Sequence, residues 1–353
     1  MTALTDYRLL GRSGLRVSPL ALGTMTFGAD WGWGATEDEA RAMFDAYVDR
    51  GGNFIDTSVN YTGGTSEQFL GRFMKPKREK VVVATKFTMA REQNNPNSGG
   101  NHRLNILRSV ETSLRQLDTD WIDLLYLHSW DFTTNVDEVM RALEDVVRSG
   151  KVAYVGISNT PAWRVAQMQT LADLRGWSPF VALQVEYSLA ERTVEHELVP
   201  MADALGLGIV PWSPLAGGLL AGKYSRADLD GAKTGAEVTG SRRDVIVAMG
   251  GMTERALGIA DAVHDVAEEL GVTSSQAAIA WLLSRPQAPT PIVGARTAAQ
   301  LEDNLGALDV TLSDDQLQRL DEASAVAPIF PNSFITGPMV RQLTFGGTNV
   351  PPR

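Results

Sequence analysis

Apolar positions along the chain switch period again and again. Short runs that are apolar nearly throughout alternate with longer stretches in which apolar residues recur every three or four positions. The short runs are Pro19–Gly23, Asn53–Thr57, Val81–Phe87, Trp121–His128, Val152–Asn159, Val181–Ser188, Gly208–Ser213 and Pro291–Gly294, which makes eight candidate strands. Helical stretches such as LNILRSVETSLRQL, VDEVMRALEDVVRSG and VEHELVPMADALG lie between them. Strands without polar alternation suit a parallel sheet covered on both faces. Ahead of the repeat, YRLLGRSGLRVSPLALG reads as a hairpin. The first helix is well punctuated: Thr36 as N-cap and Glu39 three residues on form a capping box, Ala40, Met43, Phe44, Tyr47 and Val48 make one apolar face, and Gly51-Gly52 ends it.

Eight strands joined by helical crossovers can close on themselves. The competing architecture, an open doubly wound sheet, usually carries G-x-G-x-x-G after its first strand, and this chain has none there. The expected fold is therefore α/β, a (β/α)8 TIM barrel with an N-terminal β-hairpin and long loops at the C-terminal face. At 353 residues the chain could be two average domains, but such barrels often run past 250 residues. One domain over 1–353 is expected, with the barrel core at about 15–310 and a C-terminal helix and tail at 311–353. Met89–Gly100, Ser213–Gly251 and the tail from Ala325, which holds five prolines, lie outside the repeat and read as long irregular segments.

Charge and composition narrow the function. A net charge of −10 disfavours nucleic acid and anionic membrane surfaces as partners. The absence of cysteine removes disulfides, thiolate nucleophiles and Cys-ligated metals. Of the four histidines, His102, His128, His196 and His264, no two stand at i, i+4, so no structural metal is expected. The first residues lack a leader's apolar core, and no stretch approaches a membrane span, so a cytoplasmic protein is expected. Nothing points to an oligomeric state.

In a barrel of this kind the chemistry lies where the strands end. Asn-Phe-Ile leads into Asp56, Val-Val-Val-Ala-Thr into Lys86, and Ile-Asp-Leu-Leu-Tyr-Leu into His128, while Tyr61 follows in the loop VNYTGG. Singly, each has an ordinary reading: a turn carboxylate, a solvated lysine, a bonded core histidine, a packing tyrosine. Ionisable groups that follow buried runs are costly unless partnered, and four of them on one face make a candidate catalytic group.

FIDTSVNYTGGTSEQFLG, VVATKF, IDLLYLHSWD, YVGISN, LQVEYSL, PWSPLAGGLLAGKY and PIVGARTAAQLEDNL, in this order, resemble the aldo-keto reductase family, in particular its bacterial branch related to aryl-alcohol dehydrogenases. The resemblance runs from about Leu9 to Leu320. It implies reduction of a small-molecule carbonyl by a nicotinamide cofactor bound extended, without a Rossmann fold. Tyr61 would be the general acid, Lys86 would lower the cost of its phenolate, Asp56 would orient Lys86, and His128 would bond the carbonyl oxygen. Gly23, Thr24 and Met25 would lie beneath the nicotinamide ribose. Ser158, Asn159 and Gln184 would hold the carboxamide, and Trp212 would stack on the ring. Ser213, Leu215, Gly217 and Lys223 would follow the pyrophosphate, and Gly294, Arg296, Gln300 and Asn304 would meet the adenosine end. Some members have a lysine where this chain has Gly294 and an arginine where it has Gln300, leaving Arg296 as the main cation for a 2′-phosphate. NADPH is the expected cofactor, with NADH as a second possibility. Trp33 and Trp130, together with Trp31, suggest a pocket for an aromatic or bulky carbonyl. Two other readings compete: a nucleotide-sensing or partner-binding subunit with little turnover, and a different barrel enzyme such as an isomerase or lyase.

Overall fold

The computed structural model describes residues 2–233, 247, 251–348 and 350. A two-stranded antiparallel hairpin, β1 (Arg8–Leu9) and β2 (Arg16–Val17), precedes the barrel. The barrel strands are β3 (Ala21–Gly23), β4 (Phe54–Asp56), β5 (Val82–Phe87), β6 (Ile122–Leu127), β7 (Val152–Ser158), β8 (Phe180–Glu186), β9 (Gly208–Trp212) and β10 (Ile292–Gly294). They pair in parallel in the order β10-β3-β4-β5-β6-β7-β8-β9. Across the remaining seam, the Thr290 N–H donates to the Ile209 carbonyl at 2.9 Å. This is the (β/α)8 barrel that the apolar runs predict.

The same residues explain why the sheet closes. Every residue of β4 and β5 is buried, as β strands between a packed interior and a helical layer must be. Inside, Ala21, Phe54, Val82, Leu124, Tyr126, Val181, Ala182, Val210 and Ile292 fill the lumen. Leu10 and Val17 of the hairpin join that cluster and plug the N-terminal end. The plug fits tightly: Gly11 has φ +57°, and a Cβ there would stand 2.5 Å from the Val181 carbonyl. Only glycine meets both demands.

The helices α1 (Glu37–Asp49), α2 (Thr65–Met74), α3 (Arg103–Gln116), α4 (Val136–Arg148), α5 (Ala162–Arg175) and α6 (Leu198–Leu205) cross over between strands. α1 starts with the capping box expected at Thr36 and Glu39 and buries Ala40, Met43, Phe44 and Tyr47, while Val48 stays half-buried. Helices Glu254–Leu270, Ser274–Leu283 and Ala298–Leu305 complete the outer layer around β10. No helix among the described residues is long and apolar enough to cross a membrane.

Two of the segments expected to be irregular contain helices. Arg226–Lys233 is helical within Ser213–Gly251, of which 234–246 and 248–250 lie outside the described residues. In the tail, Asn332–Ile335 and Pro338–Phe345 form short helices without a buried residue. With no buried stripe, such a helix leaves no periodic signal in the sequence.

Candidate active site

The strand ends converge at the C-terminal mouth. Asp56 closes β4 and Lys86 is the penultimate residue of β5, both with side chains out of water. The Lys86 ammonium has three protons and three partners: Asp56 Oδ1 at 2.6 Å, the Thr57 carbonyl at 2.7 Å and the Tyr61 hydroxyl oxygen at 3.2 Å. Gln184 of β8 donates its amide to the other Asp56 oxygen at 2.8 Å. His128 follows β6 and meets the Tyr61 ring edge-on, 6.0 Å between centroids.

Local chain geometry brings Tyr61 over the lysine. It opens a 3-10 turn, Tyr61–Gly64, in which Thr62, Gly63 and Gly64 all have positive φ, so the chain reverses into α2. The Thr62 hydroxyl ties this turn to the Phe27 carbonyl at 2.7 Å. Gly64, at φ +100°, packs against Gln116, whose Nε2 would stand 2.3 Å from any Cβ.

Burial and charge set the protonation. Burial lowers Lys86, but the Asp56 carboxylate and the Tyr61 oxygen outweigh it and hold the amine above its ordinary range. Burial raises Asp56 while the Lys86 ammonium pulls it back. Burial also raises the Tyr61 phenol, opposed by the same ammonium. His128 is pushed down to about 3, by burial first and by Lys86 second, so it is neutral at pH 7. Behind Lys86 lies a carboxyl that the sequence reading did not single out. Glu67, in the first turn of α2, is fully buried and accepts the Thr85 hydroxyl at 2.5 Å. Burial raises it to about 7, opposed by the hydroxyls of Thr85 and Ser113.

A cavity of about 780 Å³ runs from this group across the mouth. Its walls include Gly23, Met25, Asp56, Tyr61, His128, Asn159, Gln184, Trp212, Ser213, Leu215, Gly217, Lys223, Gly294, Arg296, Gln300 and Asn304, all singled out from sequence. Lys86 lies beneath the floor. Thr24 and Ser158 are fully buried, with the Thr24 hydroxyl turned toward Ser66 and the Asp56 carbonyl. Trp33 and Trp130 do not line this cavity. Trp33 packs on Trp31, and it is Trp31 that meets Tyr61, edge-on at 6.3 Å. Thr26, Tyr224, Thr273 and Asp303 also line the cavity. They were missed because each has an ordinary local role: Thr26 and Tyr224 lie in loops, Thr273 is an N-cap, and Asp303 is inside the helix Ala298–Leu305.

The cavity has the parts an extended dinucleotide needs. The indole N–H of Trp212 is fixed to Asn159 Oδ1 at 3.1 Å, which holds the ring plane. Asn159 and Ser213, at strand ends, adopt left-handed backbone with φ of 41° and 52°, a conformation that recurs at functional sites. Gly217 and Gly218 are also left-handed and form a side-chain-free stretch of wall. At the far end Arg296 is exposed, and Thr297 caps the helix Ala298–Leu305 through Gln300 N.

A closed parallel barrel that gathers a buried Lys–Asp pair, a phenol and a neutral imidazole beside a long cleft defines an enzyme, an NAD(P)H-dependent oxidoreductase. More closely, the chain belongs to the aldo/keto reductase family, whose model matches residues 19–325. Norsolorinic acid reductase of Aspergillus flavus is 36% identical over 347 residues, covering 95% of this chain and 85% of the relative. The NADP(+) aryl-alcohol dehydrogenase of Phanerodontia chrysosporium is 36% identical, covering 90% and 85%. An uncharacterized oxidoreductase of Bacillus subtilis is 39% identical, covering 90% and 95%.

Proposed function

We propose that the chain reduces an aldehyde or ketone to the alcohol with NADPH, Tyr61 delivering the proton. One observation carries this. The Tyr61 oxygen accepts a proton bond from Lys86, whose other two protons are bound to Asp56 and Thr57. The phenol's own hydrogen is therefore left to face the cavity.

The cofactor supplies the hydride when bound; the protein's part is to direct and stabilise charge. A free phenol, with a pKa near 10, is a weak acid at neutral pH. As Tyr61 gives up its proton, the ammonium at 3.2 Å stabilises the phenolate. Asp56 keeps that ammonium charged in a site without water. His128, neutral, offers an N–H to the carbonyl oxygen and fixes its direction. Asn159 and Gln184 would hold the carboxamide, the Trp212 face the ring, and Arg296 with the helix N-terminus at Ala298 the 2′-phosphate.

Trp31 does not line the cavity, but its ring stands edge-on to Tyr61 beside the proposed proton donor, and the name of the P. chrysosporium relative points to an aromatic substrate. An aromatic aldehyde is the proposed substrate class. The test is loss of NADPH absorbance with a panel of aromatic aldehydes, diketones and keto sugars. Turnover is expected with the aromatic aldehydes and should fall about 10²–10⁴-fold in Tyr61→Phe. Equal rates for wild type and variant on every substrate would overturn the proposal.

A further inference from the structure

Ser66, in the first turn of α2, is fully buried, and the reaction proposed above does not use its hydroxyl. That hydroxyl donates to the Thr24 carbonyl at 2.8 Å. The Thr24 hydroxyl, equally buried, donates to the Asp56 carbonyl at 2.9 Å, although it also lies 2.8 Å from the Ser66 oxygen. With those two protons committed, the 3.0 Å contact between the Thr57 and Ser66 hydroxyls takes its proton from Thr57. Three hydroxyls out of water thus form one directed chain, from Thr57 to Ser66 to Thr24, ending on the backbone of Asp56.

The residues this chain joins are those that hold Lys86. Asp56 offers a carboxylate oxygen and Thr57 a carbonyl to two of its protons. The backbone of Ser66 reaches the other way. Its N–H donates to the Thr62 hydroxyl at 3.1 Å, and Thr62 directly follows Tyr61. Ser66 therefore links the turn that carries the phenol to the two acceptors that place the ammonium. A buried hydroxyl adds only about 1 kcal/mol per bond, and apolar side chains of the same shape serve stability nearly as well. What the directed bonds add is a fixed position, since a fully paired buried network is rigid.

We propose that Ser66 is a positioning residue that sets the 3.2 Å contact between Tyr61 and Lys86. It does not line the cavity, and it acts through Thr57 on one side and Thr62 on the other. Without its oxygen the Thr57 hydroxyl loses its acceptor, and the Tyr61 turn is free to shift relative to the residues that hold Lys86. The ammonium then stabilises the phenolate less, because the attraction falls with distance. This role rests on the reductase reading, and the experiment tells the failure of one from the failure of the other.

Steady-state kinetics of the full-length protein with NADPH and benzaldehyde read the effect, with Tyr61→Phe as the reference. Ser66→Ala should lower kcat about tenfold and leave KM for both substrates within about twofold. The pH above which kcat declines should move upward, since the phenol loses part of its cationic support. Thr57→Val keeps the shape and removes only the hydroxyl donated to Ser66. It should match Ser66→Ala, and the double variant should fall no further than either alone. Ser324→Ala removes an equally buried hydroxyl, bonded to the Leu320 carbonyl at 2.6 Å away from the cavity, and should keep kcat within about twofold. Should circular dichroism show Ser66→Ala unfolded, Thr57→Val decides. A deciding variant with wild-type kcat and pH profile, additive losses in the double variant, or an equal loss in Ser324→Ala overturns the role while Tyr61→Phe stays impaired. Tyr61→Phe turning over like wild type, or no turnover by any form, overturns the reductase reading and this role with it.

Discussion

At the Tyr61 end of the main cavity the protein has completed its own polar groups. Lys86 spends all three protons on Asp56, Thr57 and Tyr61, and both Asp56 oxygens are bonded, all out of water. At the Arg296 end the groups are exposed: Arg296 lies in solvent, and Gln300 turns back to the Arg296 N–H at 3.0 Å. The first end is assembled within the protein itself, and the second is left open where the proposed cofactor's charged tail would lie. Electrostatic stabilisation of a reacting group works best when no reorganisation is needed. Recognition of a charged tail tolerates solvent, because only binding and not chemistry rests on it. Damage to the two ends should therefore differ in kind: lost turnover and stability at one, lost affinity at the other.

Lys86→Met gives the largest expected effect. The substitution keeps much of the volume but leaves Asp56 charged, buried and without its ion partner. Breaking a buried pair from one side costs about 3–5 kcal/mol. Turnover should also fall on the order of 10³-fold, since in the proposed mechanism Tyr61 loses the charge that would stabilise its phenolate. Urea unfolding of Lys86→Met and of the double variant with Asp56→Asn separates the two losses. The double variant should regain most of the stability and none of the turnover. A single variant as stable as wild type would mean that the pair is not the buried charge described, and the contrast between the two ends would fail.

Smaller, and confined to pH, is the effect of the two buried groups flanking the lysine. Glu67 has its folded-state value raised from 4.5 to about 7. The folded protein keeps that proton where the unfolded chain releases it, so this contribution is whole below pH 4.5 and is lost as pH rises through 7. His128 runs the other way. Its value falls from 6.5 to about 3, so its contribution is whole above pH 6.5 and is lost as pH drops through 3. Glu67→Gln should flatten the alkaline side of the stability profile, making the variant more stable than wild type at pH 8 by on the order of 2 kcal/mol. Chemical unfolding at several pH values measures it. Parallel profiles for variant and wild type would show that Glu67 is already ionised and solvated in the folded protein.

Much of this arrangement was legible in the sequence, for a physical reason. A strand buried on both faces has to be apolar throughout, so the eight barrel strands announced themselves, and ionisable residues at their ends could only face the mouth. What stayed hidden follows from the same reasoning. Glu67 stands three residues after Gly64 at a helix start, where a carboxylate is ordinarily solvated and favoured by the helix dipole. Only the packing of α2 against α3 and β5 buries it. Trp130 is two residues from His128, yet the turn after β6 directs it away from the main cavity, and no spacing reveals that. The tail helices bury nothing, so nothing periodic marked them.

The smallest expected effect falls at the exposed end, and it tests the contrast most directly. Arg296 is in solvent, and an exposed cation facing a phosphate is screened, so its removal should cost little more than about 1.4 kcal/mol. Arg296→Ala should therefore raise the NADPH dissociation constant about tenfold and leave that for NADH within about twofold, as read by quenching of tryptophan fluorescence. An unchanged ratio would remove Arg296 from cofactor choice. Salt adds a second reading of the same difference. The proposed preference for NADPH should shrink as ionic strength rises and the Debye length drops from about 10 Å at 0.1 M to about 3 Å at 1 M. Turnover at saturating cofactor should not follow it, because the Lys86–Asp56 pair lies where mobile ions do not reach. If salt moved both together, the Tyr61 end would be as open to solvent as the Arg296 end, and a chemistry built on a dry ammonium beneath Tyr61 could not be maintained.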